Sequence, residues 1–118
     1  MLKVYTYQGC STCRNAVKWL KSQGIAHAEV AIRENPPELT ELRAMLKARG
    51  QLRLLFNTSG QDYRALNLKD RLPAMSEDAA LDLLSRTGNL VKRPFAIDAE
   101  QKVFLTGFIE EEWCKALA

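Results

Sequence analysis

Cys10 and Cys13 stand three residues apart in the stretch Gly9-Cys10-Ser11-Thr12-Cys13-Arg14. Two thiols at that spacing can act in sequence. The first forms a covalent adduct through its thiolate, and the second displaces the adduct by attacking the first sulfur. The chemistry needs the first sulfur ionised near neutrality and the second within disulfide reach. Residues three apart on a helix lie about 5–6 Å apart, inside the range a disulfide accepts. Helix-like sequence starts at Ser11, which puts Cys10 at or just before the first turn. Free backbone N–H groups and the positive end of the helix dipole favour a thiolate there, and Arg14 adds a nearby cation. Cys13 falls on the apolar stripe and should be the more buried partner. Cys10 is thus the expected nucleophile and Cys13 the expected resolver. Cys13 alone could be ordinary core. Cys10, in a polar turn, has no packing reason to be cysteine.

Other candidates are weaker. Arg93-Pro94 precedes strand-like sequence; a proline there is ordinarily an edge or turn residue. In dithiol redox folds a cis-proline often lies against the active cysteine. Arg93 could hold an oxyanion or stabilise the thiolate, or be solvated surface. Cys114, beside Trp113, reads as packing, and His27 as surface. Glu110-Glu111-Glu112 reads as a solvated helix start, where negative charge is favourable. Structural zinc takes four ligands, and Cys114 and His27 are too remote in sequence to complete a set with Cys10 and Cys13. No phosphate-binding glycine loop or dinucleotide fingerprint is present.

The elements that must position these residues follow from periodicity. Leu2 to Tyr7 is strand-like and is broken by Gln8-Gly9. Cys13, Ala16, Val17 and Leu20 form one helical face, ended by Gly24. Glu29 to Ile32 is a second short strand, so the opening reads as a parallel β-α-β unit. Asn35-Pro36-Pro37 reads as a helix start with Asn35 as N-cap. Leu39, Leu42, Met45 and Leu46 supply that helix's stripe, and Gly50 ends it. Arg53 to Phe56 fits strand or helix equally. Thr58-Ser59-Gly60-Gln61 has the form of a capping box, opening a short helix through Tyr63 and Leu66. Pro73 breaks the chain, and Ser76 opens a helix ending near Gly88. Phe95–Ile97 and Val103–Leu105 read as a hairpin with a four- or five-residue loop. A last helix covers Ile109 to Leu117. One mixed sheet with helices packed on it is the economical arrangement.

Composition agrees with one compact domain. The 118 residues are 47% hydrophobic and 26% charged, with 17 basic and 14 acidic side chains, net +3. Such a chain can bury a core without staples. No apolar run approaches the roughly 18 residues of a spanning helix. The basic residues are not gathered on one segment, so direct nucleic-acid binding is not expected. No secretory signal opens the chain, and three cysteines are a poor staple set, so a cytoplasmic protein is expected.

Together, Val4-Tyr5-Thr6-Tyr7, the Cys10-x-x-Cys13 turn, Asn35-Pro36-Pro37, Leu55-Phe56-Asn57-Thr58-Ser59-Gly60 with Tyr63, and Lys92-Arg93-Pro94 resemble the arsenate reductase/Spx family (ArsC/Spx) over essentially the whole chain. The resemblance implies one α/β domain over residues 1–118, thioredoxin-like (glutaredoxin-like). It would hold a mixed four-stranded sheet flanked by helices, with a helical insertion over about residues 37–88 between the second strand and the C-terminal hairpin. It implies that Cys10 is redox-active. Arsenate reductases of this type form a thiol–arsenate adduct, use glutathione and glutaredoxin for turnover, and flank the cysteine with three arginines. Here only Arg93 matches; the middle arginine falls on Asn57 and the last near Thr106 or Gly107. Those enzymes usually lack the second cysteine that Cys13 supplies. Spx proteins carry Cys-x-x-Cys as a redox switch and bind the C-terminal domain of the RNA polymerase α-subunit, but this chain ends soon after its last helix, without their longer extension. The expected protein is a monomeric thiol–disulfide redox protein. Cys10 and Cys13 are catalytic, Arg14 and Arg93 stabilise the anion or thiolate, and Pro94 shapes the groove. It holds no bound cofactor or metal, is reduced by glutathione/glutaredoxin or thioredoxin, and has no membrane partner. The alternatives are an Spx-like redox regulator and a narrow arsenate reductase.

Overall fold

The computed structural model describes all 118 residues. Its sheet has the order β2-β1-β3-β4. β1 (Leu2–Thr6) lies parallel to β2 (His27–Ala31), with Leu2 opposite His27 and Thr6 opposite Ala31. β3 (Phe95–Asp98) runs antiparallel to β1, and β4 (Val103–Thr106) antiparallel to β3. This is the mixed four-stranded sheet expected, hairpin included.

Alternation along the strands divides the core in two. On one face, Leu2, Val4, Ala96, Val103 and Leu105 pack with Ala16 and Leu20 of α1 (Ser11–Ser22) and Trp113 of α6 (Glu110–Leu117). On the other, Tyr5, Phe95 and Ile97 pack with Leu42, Met45, Leu55, Phe56, Leu81 and Leu84 of the segment between β2 and β3. That segment is the helical insertion: α2 (Leu39–Arg49), a 3-10 turn (Leu52–Leu55), α3 (Gln61–Ala65), α4 (Leu68–Arg71), a 3-10 turn (Leu72–Ala74), α5 (Glu77–Arg86) and a 3-10 turn (Gly88–Leu90).

Several expectations change here. Asn35 does not cap α2; its N–H closes a turn on Ala31 O at 2.9 Å. Each proline holds the residue before it extended, so the helix waits until Leu39, with Glu38 as N-cap and Glu41 Oε1 accepting from the Glu38 N–H at 3.1 Å. Thr58 does not open a capping box. Gly60 is the N-cap of α3, and its N–H bonds Asn57 O at 3.1 Å, leaving Thr58 and Ser59 exposed in the turn. The ambiguous Arg53 to Phe56 segment is neither α-helix nor regular strand. It lies mostly in the 3-10 turn, and Phe56 bridges Val91. Ser76 does cap α5, accepting from the Ala79 N–H at 3.1 Å. α5 ends at Arg86 with Thr87 as C-cap, next to Gly88 as expected. A Cβ at Gly88 would lie 1.9 Å from Ile32 O, so the glycine lets the 3-10 turn Gly88–Leu90 press against the chain just past the end of β2. Cys114 is exposed, because Trp113 takes the buried position on α6. His27 is half-buried, with Nδ1 2.9 Å from Ile25 O and Nε2 3.8 Å from Glu29. Glu112 is not merely solvated; it pairs with Arg49 at 2.6 Å. No helix is long and apolar enough to cross a membrane.

Candidate active site

β1 ends at Thr6, and a turn closed by Cys10 N–H to Tyr7 O at 3.0 Å delivers Cys10 to the start of α1. Cys10 is the N-cap residue: its backbone is extended, and its Sγ accepts from the Cys13 N–H at 3.4 Å. A sulfur therefore stands where serine or aspartate oxygen usually caps a helix. That position is the better satisfied the more negative the acceptor is. Burial alone pushes the Cys10 thiol up. The Cys13 amide, the Cys13 thiol and Arg93 outweigh it, so Cys10 ionises below the ordinary thiol value. Cys13 is 1% exposed, and burial with the neighbouring Cys10 pushes its thiol up to about 12. The two sulfurs, one turn apart, are driven in opposite directions. All three cysteines are free thiols.

Arg93 reaches the site from the segment before β3. The Arg93–Pro94 peptide is cis, and Pro94 O accepts from the Gly107 N–H at 2.9 Å. Backbone bonds from Lys92 N–H to Leu55 O and from Asn57 N–H to Leu90 O, each 2.7 Å, tie this segment to the insertion. The Arg93 guanidinium lies over the Tyr7 ring, 4.9 Å from its centroid, and Arg33 lies over the same ring at 4.8 Å. Gly9 makes room for that ring; a Cβ there would come 2.6 Å from Tyr7 Cε2. Arg93 Nη1 is buried without a hydrogen-bond partner. A buried donor left open beside a nucleophile is suited to an acceptor arriving with a substrate.

Cys10, Arg93, Asn57, Thr106 and Gly107 line one groove of about 850 Å3. The positions at which the family resemblance puts its other arginines are thus gathered around Cys10, but they carry an amide, a hydroxyl and a glycine. Arg14 does not join them. Its Nη1 donates to Gln8 O at 2.6 Å, and it lines a separate groove of about 280 Å3 with Cys13, Lys18 and Lys21. Tyr7 was read only as strand, and neither it nor Arg33 was read as a site residue. An aromatic at a strand exit two residues before Gly9 was a usable signal for Tyr7; nothing in the spacing marks Arg33. No three His, Cys, Asp or Glu side chains converge as metal ligands.

A four-stranded mixed sheet flanked by helices, with a dithiol at the head of the helix that follows β1, defines a thioredoxin-like domain. The chain matches the ArsC family over residues 5–116 and belongs to it. Among its relatives, YusI of Bacillus subtilis (strain 168) is 45% identical, covering 95% of this chain and 98% of YusI. An arsenate reductase of Rhizobium meliloti (strain 1021) is 32% identical, over 80% of this chain and 66% of that one. The global transcriptional regulator Spx of Enterococcus faecalis (strain ATCC 700802 / V583) is 32% identical, over 95% and 83%. The crystal structure of an ArsC-family-related protein from Bacteroides fragilis superposes with a TM-score of 0.90 at 37% identity, covering 98% of this chain and 96% of that one.

Proposed function

We propose that the protein is a thiol–disulfide oxidoreductase in which Cys10 is the nucleophile and Cys13 the resolver. The observation that carries the reading is the Cys10 sulfur at the N-cap of α1, ionised early, with a neutral buried thiol one turn behind it. The Cys10 thiolate attacks one sulfur of a disulfide R–S–S–R; Cys10–S–S–R forms and RS⁻ leaves. Cys13 then gives its proton to solvent and attacks Cys10 Sγ, and the second RS⁻ leaves. Two electrons pass from the dithiol to the substrate. A thiol reductant, glutathione with glutaredoxin or thioredoxin, restores the pair. Arg93 holds the thiolate, and Pro94 shapes the groove beside it. A reducing compartment such as the cytoplasm suits this cycle.

The test is trapping. Cys13→Ser protein treated with oxidised glutathione should accumulate a glutathione adduct on Cys10, read by intact and peptide mass spectrometry. Wild type should instead close Cys10 onto Cys13. Absence of the adduct in Cys13→Ser removes the resolving role, and unreactive Cys10 removes the reading altogether.

Two specific observations favour second readings of the same site. The match to Spx over 95% of the chain favours a redox switch that binds the polymerase α C-terminal domain; pull-down with oxidised and reduced protein tests it, and equal capture rejects it. The open Nη1 of Arg93 beside Cys10 favours oxyanion reduction; arsenate turnover coupled to glutathione and glutaredoxin tests that, and a background rate rejects it.

A further inference from the structure

The groove over Cys10 is far larger than a single oxyanion requires. Its volume of about 850 Å3 is that of a site for a small organic molecule. Arg49, Arg53, Lys69, Lys92 and Arg93 line it, and no aspartate or glutamate does. Only Arg49 has a carboxylate partner, Glu112; the other four make no ion pair. The whole chain is only +3, so this bias belongs to the groove and not to the surface at large.

The cations come from different elements. Arg49 ends α2, Arg53 lies in the following 3-10 turn, Lys69 is on α4, and Lys92 and Arg93 precede β3. Like charges from four places in the chain repel one another, and gathering them in one concave wall costs stability. The same gathering concentrates anions in the groove and speeds their encounter with the sulfur. Guanidinium groups add paired donors that fit carboxylate and phosphate oxygens. Arg93 serves the sulfur itself. Arg53, Lys69 and Lys92, which have no carboxylate partner, are free for charges elsewhere on the same ligand.

We propose that the substrate of Cys10 is a small disulfide whose flanks carry several negative charges, and that the groove selects it by charge. This rests on Cys10 acting as the nucleophile. The bond changes are those given above, with R an anionic group. The leaving thiolate departs into a positively charged groove, which favours its release from the mixed disulfide.

The experiment is stopped-flow reaction of the reduced protein, on a Cys114→Ser background to silence the exposed thiol. The probes are a dianionic aromatic disulfide (5,5′-dithiobis-2-nitrobenzoate), a neutral one (4,4′-dithiodipyridine) and a dicationic aliphatic one (cystamine). Each rate is divided by that of 2-mercaptoethanol with the same probe. The normalised anion rate should exceed the cation rate by about tenfold or more at low salt, and high salt should collapse the difference. The double variant Arg53→Glu, Lys69→Glu should lower the anion-to-cation ratio. Glutathione disulfide against coenzyme A disulfide separates carboxylate from phosphate flanks, and preference for either over cystamine supports the proposal. Equal normalised rates, insensitive to salt and to the double variant, overturn charge selection and leave the nucleophile standing. No reaction with any probe overturns both.

Discussion

The two faces of the sheet do different work. The face covered by α1 and α6 is regular. Its strands alternate, its helices show clear apolar stripes, and it delivers the reactive sulfur at a helix end. The face covered by the insertion is assembled from short helices and 3-10 turns. Its contribution to the site is charge: Arg49, Arg53 and Lys69. Reactivity and charge thus come from separate units that meet along one groove. Beyond the packing of Tyr5, Phe95 and Ile97 against the insertion and the Arg49–Glu112 pair, the two units are joined beside the groove by Gly88 against Ile32 and by the backbone bonds that bind residues 55–57 to 90–92. Arg93 stands at that joint and acts on the sulfur across it.

Breaking the joint should have the largest effect. In Gly88→Ala the new Cβ would sit 1.9 Å from a backbone carbonyl oxygen, which no rotamer change relieves. We expect a loss of about 3 kcal/mol in denaturant unfolding. Hydrogen exchange should show residues of the insertion losing protection before α1 and β4 do. Uniform loss across both faces would mean that the two units are a single cooperative structure.

Removing the cation that bridges the units should have the next largest effect. Arg93→Met takes away a positive charge that favours the Cys10 thiolate, so the Cys10 pKa should rise toward the ordinary value of about 8.5. Once the pKa lies above the working pH, each further unit of rise cuts the thiolate population about tenfold. Thiolate absorbance against pH, with the rate of alkylation alongside, reads this directly. An unchanged titration would assign Cys10's acidity to the helix end alone and sharpen the division between the faces. Cys13, raised to about 12, should stay unlabelled near neutrality in both proteins until they are denatured.

The same division explains what could be read from the chain. β1, α1, the hairpin and α6 were legible because each has a strong period and a clean stop, and placing Cys10 at the head of α1 with Cys13 one turn on needed only the start of that helix. The order of burial of the two sulfurs followed from Cys13 lying on the stripe of Ala16 and Leu20. The insertion was legible as helical but not in its joints. Asn35 and Thr58 look like helix starts by residue type but sit in local turns before their helices, and Gly88, just past the end of α5, is fixed by a close approach to Ile32, distant in sequence. The charged wall was invisible for the same reason: Arg49, Arg53 and Lys69 share no spacing, and only the irregular path of the insertion brings them together. Cys114 was misread because it and its neighbour Trp113 competed for one buried position on α6, and Trp113 fills it.

A second tie joins the faces away from the groove, and breaking it should have the smallest effect. Glu41 of α2 accepts from Tyr5 Oη at 2.5 Å and from Lys3 Nζ at 2.9 Å, so the insertion is also held to β1. Burial pushes the Glu41 carboxyl up. Tyr5, Lys3 and the Glu38 amide outweigh it, leaving Glu41 below the usual carboxylate range. Tyr5 is pushed up to about 12, first by burial and then by its bond to Glu41. A carboxyl depressed in the folded state adds stability that is complete above its unfolded value of about 4.3 and is lost as the pH falls through the folded value. Glu41→Gln should therefore cost about 1 kcal/mol at neutral pH, the scale of one hydrogen bond to a charged group less what the amide retains. The gap to wild type should close as the pH drops below about 4. Urea unfolding of both proteins across that range is the measurement, and a gap that stays constant would mean that the carboxylate charge contributes nothing to the tie. The Cys10 titration should be the same in both proteins, because this tie lies outside the groove. A shift there would mean that displacing α2 reaches the sulfur through the joint, and the two faces would then be coupled more tightly than their separate cores suggest.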